Sequence, residues 1–87
     1  MAYKYVILKK QRIDDNLYIV LRAYVNEDEV AEEFINHRYN PITDAYYLGH
    51  YFYDLDKAVT DFSLLVEEKI RHRDHMKKLV ETQKGGD

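Results

Sequence analysis

Residues 17–25 read LYIVLRAYV, and this stretch decides the fold. Leu17, Ile19, Leu21, Ala23 and Val25 fall on one side of an extended chain, and Tyr18, Val20, Arg22 and Tyr24 on the other. Successive side chains of a strand point to opposite faces, so the alternation predicts a strand with one aliphatic face. Its other face is built of tyrosine, valine and arginine. Upstream, residues 3–10 form another strand candidate. The intervening residues 12–16 are polar apart from Ile13 and end in Asp-Asp-Asn, which suits a hairpin loop.

Downstream, Asn26 with Glu29 three residues on matches a capping box. Over residues 27–37, Val30, Ala31, Phe34 and Ile35 share one side at a helical period, and Glu29, Glu32, Glu33 and Asn36 the other. This predicts a short amphipathic helix with an acidic outer face, ended by Asn40-Pro41 because the proline ring disfavours helical geometry before it. Residues 44–53 are rich in aromatics and predict the third strand. Tyr46, Leu48, His50 and Phe52 are placed inward, with Tyr47, Gly49, Tyr51 and Tyr53 on the other side.

Asp54 or Asp56 caps a final helix that runs to about residue 83 and stops at Gly85-Gly86. Leu55, Ala58, Val59, Phe62, Leu65, Val66 and Ile70 make one apolar stripe, into whose continuation Arg73 projects. Such a helix reaches ~40 Å, whereas a strand spans about 17–20 Å. Residues 70–80 are therefore expected to overhang the sheet. The expectation is an α+β fold of order β-β-α-β-α. Its three-stranded, antiparallel-type sheet is packed on one face by the long C-terminal helix, in a single domain over 1–84 with a frayed tail at 85–87.

Composition narrows the function classes. The 87 residues suffice for one modest core, and 46% hydrophobic with 14% aromatic content favours folding over disorder. With no cysteine there is no disulfide, thiolate metal site or cysteine nucleophile. The N-terminal residues lack the apolar region of a signal peptide, and no run approaches the ~20 residues that cross a bilayer. A cytoplasmic location is expected. The net charge of −3 is uneven: residues 1–12 carry four cations and no acid, and residues 13–36 carry seven acids against Arg22 alone.

Tyrosine is the outstanding usage, with nine in the chain. Tyr18, Tyr24, Tyr47, Tyr51 and Tyr53 around Arg22 are candidates for an exposed binding face, because tyrosine and arginine dominate protein-binding hot spots. β propensity is the plainer reading of any one of them. Glu29, Glu32 and Glu33 form an acidic patch that suits a basic partner, or serves only as solvated surface. Arg71, His75 and Lys78 share a face of the last helix and make the best nucleic-acid footprint, offset by ready pairs Glu67–Arg71 and Asp74–Lys78. His72 and His75 alone make an incomplete metal site. His37 reads as a helix-end cation and His50 as a sheet histidine. Catalytic motifs are absent, leaving only a spatial meeting of Asp44, Asp54 or Asp56 with His50. No enzyme activity, cofactor or metal is expected. Ile70, Met76, Leu79 and Val80 are candidates for a homodimer contact between overhanging helices.

The run 46–52, YYLGHYF, followed by Asp54-Leu55-Asp56-Lys57-Ala58 and Asp61-Phe62, resembles small phage and mobile-element proteins. In size, acidity and tyrosine content the chain also resembles anti-CRISPR proteins and similar phage-encoded inhibitors. That resemblance implies stoichiometric inhibition of a host defence protein and assigns no residue. The leading expectation is a protein-binding module. The alternatives are a nucleic-acid-binding regulator and a structural subunit of a larger assembly.

Overall fold

The computed structural model describes residues 3–85. Strands β1 (Lys4–Asp14), β2 (Leu17–Val25), β3 (Ala31–Asn40) and β4 (Ala45–Phe52) are followed by helix α1 (Leu55–Gly85). The strands form one antiparallel sheet in the order β1-β2-β3-β4. The α+β class, the β2 limits and the long C-terminal helix match the sequence reading. The three-stranded sheet and the order β-β-α-β-α do not, since four strands precede the helix. Of the tail expected at 85–87, only Gly85 lies within the described residues, and it ends the helix.

The acidic helix expected over 27–37 is replaced by a hairpin loop and a strand. Asn26 Oδ1 accepts from the backbone N–H of Asp28 at 2.9 Å and of Val30 at 3.1 Å. Asn26 N–H in turn donates to the Val30 carbonyl at 2.9 Å, and Glu29 takes a φ of 63°. The asparagine thus closes a reversal of the chain instead of starting a helix. An isolated helix of eleven residues is marginal in water. As β3 the same segment finds ladder partners on both sides, Ala23↔Phe34↔Phe52 and Arg22↔Ile35↔Tyr51.

Helix α1 covers one sheet face. Asp54 Oδ1 caps it, accepting from Asp56 N–H at 2.8 Å. Ala58, Phe62 and Leu65 are buried against Ile13, Ile19 and Leu21, with Leu17, Phe34, Phe52, Val59, Val66 and Ile70 around them. Each large apolar side chain buried this way contributes about 1.5–3 kcal/mol. The small Ala58, 0% exposed, brings the helix close to β3. There the fully buried Asn36 donates from Nδ2 to the Ala58 carbonyl at 2.8 Å and to Asp61 Oδ2 at 2.9 Å. His50 Nδ1 on β4 meets the same Asp61 oxygen at 3.0 Å.

The far side of the interface is pinned by Arg73, whose Nη1 donates to the Ile13 carbonyl at 2.8 Å. This explains a cation in the continuation of the apolar stripe. Beyond Arg73 the helix leaves the sheet and runs on for about 18 Å at ~1.5 Å per residue, which accounts for a longest dimension of 62 Å. The overhang therefore begins about one turn later than residue 70. No helix among the described residues is long and apolar enough to cross a membrane.

Asn36→Ala removes the strand's two hydrogen bonds to the helix, at Asp61, which keeps His50, and at the Ala58 carbonyl, and it opens a small void. We expect a loss of about 2 kcal/mol in urea unfolding, within the ~1–3 kcal/mol range for a severed buried hydrogen bond. A change below about 0.5 kcal/mol would show that the clamp is dispensable.

Candidate functional site: the tyrosine-lined sheet face

Once α1 covers one face, register decides what the other displays. Tyr5 pairs with Tyr24, Tyr18 with Tyr39, Tyr39 with Tyr46, and Arg22 with Ile35, which pairs with Tyr51. These residues share the face away from the helix, together with Lys10, Val20 and His37. Of the expected set, Tyr18, Tyr24, Tyr51 and Arg22 belong here.

Tyr47 and Tyr53 do not. Between the pairs Asn36↔His50 and Arg38↔Tyr47, β4 advances three residues against two on β3. Leu48 takes a φ of 52° in this irregularity. The extra residue inverts side-chain parity, so Tyr47 turns to the helix side, where Arg38 and Ile19 are its row. Tyr46, expected inward, crosses to the tyrosine face. Leu48, also expected inward, is exposed, whereas His50 and Phe52 keep the helix side. Tyr53 lies past β4, 84% exposed in the link to α1.

The tyrosine face is a packed surface. Tyr3 stacks on Tyr24 with centroids 5.0 Å apart and planes 5° from parallel, and Tyr39 lies 4.6 Å from Tyr46. Arg22 is held between two rings, its guanidinium carbon 4.2 Å from the Tyr5 centroid and 3.9 Å from that of Tyr46. Lys10 Nζ lies 4.9 Å from the Tyr18 centroid and 5.5 Å from that of Tyr39. Such contacts are worth about 0.5–2 kcal/mol each, rising with desolvation. Beneath this layer Val20 and Ile35 are buried. Tyr18, Tyr24, Tyr39 and Tyr46 are half-buried, while Tyr5 and Tyr51 are exposed.

His37, read from sequence as a helix-end cation, is a buried strand residue under Tyr46 and Tyr51. Burial, reinforced by Arg22, lowers its pKa from 6.5 to about 4. Arg22 Nη2 lies 3.3 Å from His37 Nε2. Since a guanidinium only donates, Nε2 accepts and the ring proton sits on Nδ1. That Nδ1–H and the Nε–H of Arg22 are both buried without an acceptor. Gly49 permits the tight packing: a Cβ there would stand 3.2 Å from His37 Cε1 and from the Tyr51 ring.

Titration is also shifted at two tyrosines. The Tyr39 hydroxyl donates to Asp44 Oδ1 at 2.6 Å, and this bond, with burial, raises its pKa. Burial first, then Tyr3, Tyr5, Glu32 and Glu33, raises that of Tyr24. A raised pKa favours the protonated hydroxyl at both, that of Tyr39 being spent on Asp44.

The remaining candidates separate. Glu33 borders the tyrosine face opposite Tyr24, Glu32 accepts from Asn26 Nδ2 at 2.9 Å, and Glu29 pairs with Lys4 at 3.0 Å. They form an acidic rim at the β2–β3 end in place of an acidic helix face. Arg71 is paired with Glu67 as expected, but Asp74 takes Arg73 Nε instead of Lys78. Asp44 serves Tyr39, Asp54 caps the helix, and His50 meets Asp61 instead of Asp44, Asp54 or Asp56. Among the described residues no three His, Asp or Glu side chains gather as a metal site, and His72–His75 stays a pair. Ile70 packs into the core, whereas Met76, Leu79 and Val80 are exposed on the overhang.

Sequence reasoning did not assign Lys10, His37, Tyr5, Tyr39 or Tyr46 to the face. Tyr5, two residues after Tyr3 and ahead of a basic run, was the usable signal for the ring that β1 contributes. Comparison of the chain with protein-family models, curated proteins and solved structures gave no match.

His37 sets a pH dependence. It is neutral in the folded protein down to about pH 4 but gains a proton near 6.5 when unfolded. Above the unfolded value both states are neutral and its full contribution is present. As pH falls toward the folded value the unfolded chain binds the extra proton, and stability drops by up to about 3 kcal/mol. His37→Gln should flatten the pH 6.5 to 4 segment of a urea-midpoint profile. An unchanged slope would contradict the buried neutral assignment.

Proposed function

We propose that this protein is a non-catalytic docking module that binds another protein through its tyrosine face, with Glu29, Glu32 and Glu33 as an acidic rim. The observation that carries this reading is Arg22 wedged between Tyr5 and Tyr46 at the centre of that face. Hot spots combine arginine and aromatic anchors whose rotamers are fixed before binding, so little ordering entropy is spent on association. Stiff tyrosines with donor hydroxyls supply area and adaptable polar contacts at once. In its specific form the module acts in the cytoplasm of an infected host as a stoichiometric inhibitor of a defence protein, following the resemblance to anti-CRISPR proteins. Nucleic-acid binding through Arg71, His75 and Lys78 is disfavoured, because Arg71 is already neutralised by Glu67.

A second contact, between copies of the chain, is proposed for the overhang. Met76, Leu79 and Val80 are 47–51% exposed there, past the hydrogen bond from Arg73 to Ile13, and antiparallel packing of two overhangs covers them.

Affinity capture from host lysate, with and without nuclease, tests the docking reading against the Tyr5→Ala/Tyr51→Ala variant, which alters exposed rings. The wild type should retain a stoichiometric protein after nuclease treatment, and the variant, with unchanged circular dichroism, should lose it. Retention by the variant would contradict the tyrosine face. Recovery abolished by nuclease would move the function to the Arg71 surface. Light scattering of the purified chain should give a dimer at high micromolar concentration, reverting to monomer in Val80→Glu. A wild-type monomer would remove the overhang contact.

A further inference from the structure

The tyrosine face carries two cations without counter-charges. Among the described residues, ion pairs engage Lys4, Arg12, Lys69, Arg71 and Arg73 on the basic side, and neither Lys10 nor Arg22. Both are held over aromatic rings instead, Arg22 by Tyr5 and Tyr46, Lys10 by Tyr18 and Tyr39. A guanidinium has five donors. The hydrogen bond of Arg22 is to His37, an uncharged acceptor, and its Nε–H is buried without any. A partly desolvated cation with unused donors is costly unless a carboxylate reaches it, and a charge-assisted contact there is among the stronger kinds.

Resting on the tyrosine-face reading, we infer that the segment docking there is an acidic stretch of the partner protein, with carboxylates placed on Arg22 and Lys10. The two cations are linked through neighbouring rings, Arg22 against Tyr46, Tyr46 against Tyr39 and Tyr39 against Lys10. An Asp or Glu side chain above this row meets two positive charges, although the Tyr39 hydroxyl proton is already given to Asp44. Glu33, beside Tyr24, makes the opposite end of the face repel carboxylates.

Single-stranded nucleic acid is the competing polyanion, and the same features disfavour it. Base stacking needs free ring faces, but Arg22 occupies one face of both Tyr5 and Tyr46, and Tyr3 and Tyr24 stack on each other. Two unpaired cations release few counterions, and the acidic rim opposes an extended phosphate chain.

The test uses fluorescence anisotropy with the full chain and three labelled probes. These are a dodecapeptide alternating Glu and Leu, its Gln–Leu counterpart, and a deoxythymidine dodecamer. The Glu peptide should bind about tenfold or more tightly than either other probe, a factor typical of gaining one charge-assisted contact. Lys10→Gln and Arg22→Gln should each lose about that factor, with Arg22→Lys, which keeps the charge but not the planar group stacked between the rings, losing only part of it. Since Lys10 is exposed, its variant reports on charge even if Arg22→Gln perturbs packing. Equal binding of the two peptides, no binding of the Glu peptide, or tighter binding of the oligonucleotide would each overturn the inference. Lysate capture separates it from the docking reading. If Lys10→Gln/Arg22→Gln retains the captured protein in high salt and Tyr5→Ala/Tyr51→Ala loses it, the acidic partner is wrong and the face is right.

Discussion

The buried amide of Asn36 is the contact on which the arrangement of this protein depends. It lies on β3, one of the two central strands, and holds both the Ala58 carbonyl and Asp61 of the helix. Its Nδ2 donors are both spent on the helix, while its Oδ1 is buried without a donor. A buried donor that loses its acceptor is costly, so these two bonds favour one seat of the helix on the sheet. That seat fixes more than the helix. Side-chain direction alternates along a strand, so choosing the face that Asn36 occupies assigns every residue of β1 to β4 to the covered or the uncovered side. Arg73, bonded to the Ile13 carbonyl, secures the other side of the same interface and sets where the helix departs.

The uncovered side then solves a problem that small domains share. With one helix for four strands, Val20 and Ile35 would face water. The tyrosine layer shields them while keeping hydroxyls at the surface, and Arg22 fills the space between Tyr5 and Tyr46. The same residues complete the core and form the proposed docking surface. The rings that complete the core also form a stiff, amphipathic surface, and the cation that spaces them remains without a carboxylate. His37 beneath stays neutral because both burial and that cation oppose its protonation.

Much of this was legible in the chain. The alternation of 17–25, the Asp54 cap and the excess length of the last helix each follow from local patterns, and each is present. The segment 31–40 was not legible as a strand. Ile35, Asn36 and His37 are consecutive and all buried, because β3 is covered by the helix on one side and by rings on the other. A strand buried on both faces loses its period of two. Asn26 added to the ambiguity, since one side-chain oxygen serves a helix cap and a tight reversal equally well. The site was half legible. Tyr18, Arg22 and Tyr24 came with the β2 alternation, but Tyr46 and Tyr47 exchanged faces through the irregularity at Leu48, which no local pattern announces. Lys10 and His37 join the face through pairing with β2, a non-local fact.

The proposed docking puts a partner protein on the sheet face that the helix leaves uncovered. Hydroxyl-radical footprinting of the chain, free and in its captured complex, reads this directly, because tyrosine, leucine and methionine side chains all react. Protection of Tyr5 and Tyr51, with Leu64 on the outer side of the helix still labelled, is the predicted result. Protection of Leu64 with the two tyrosines as reactive as in the free protein would contradict it.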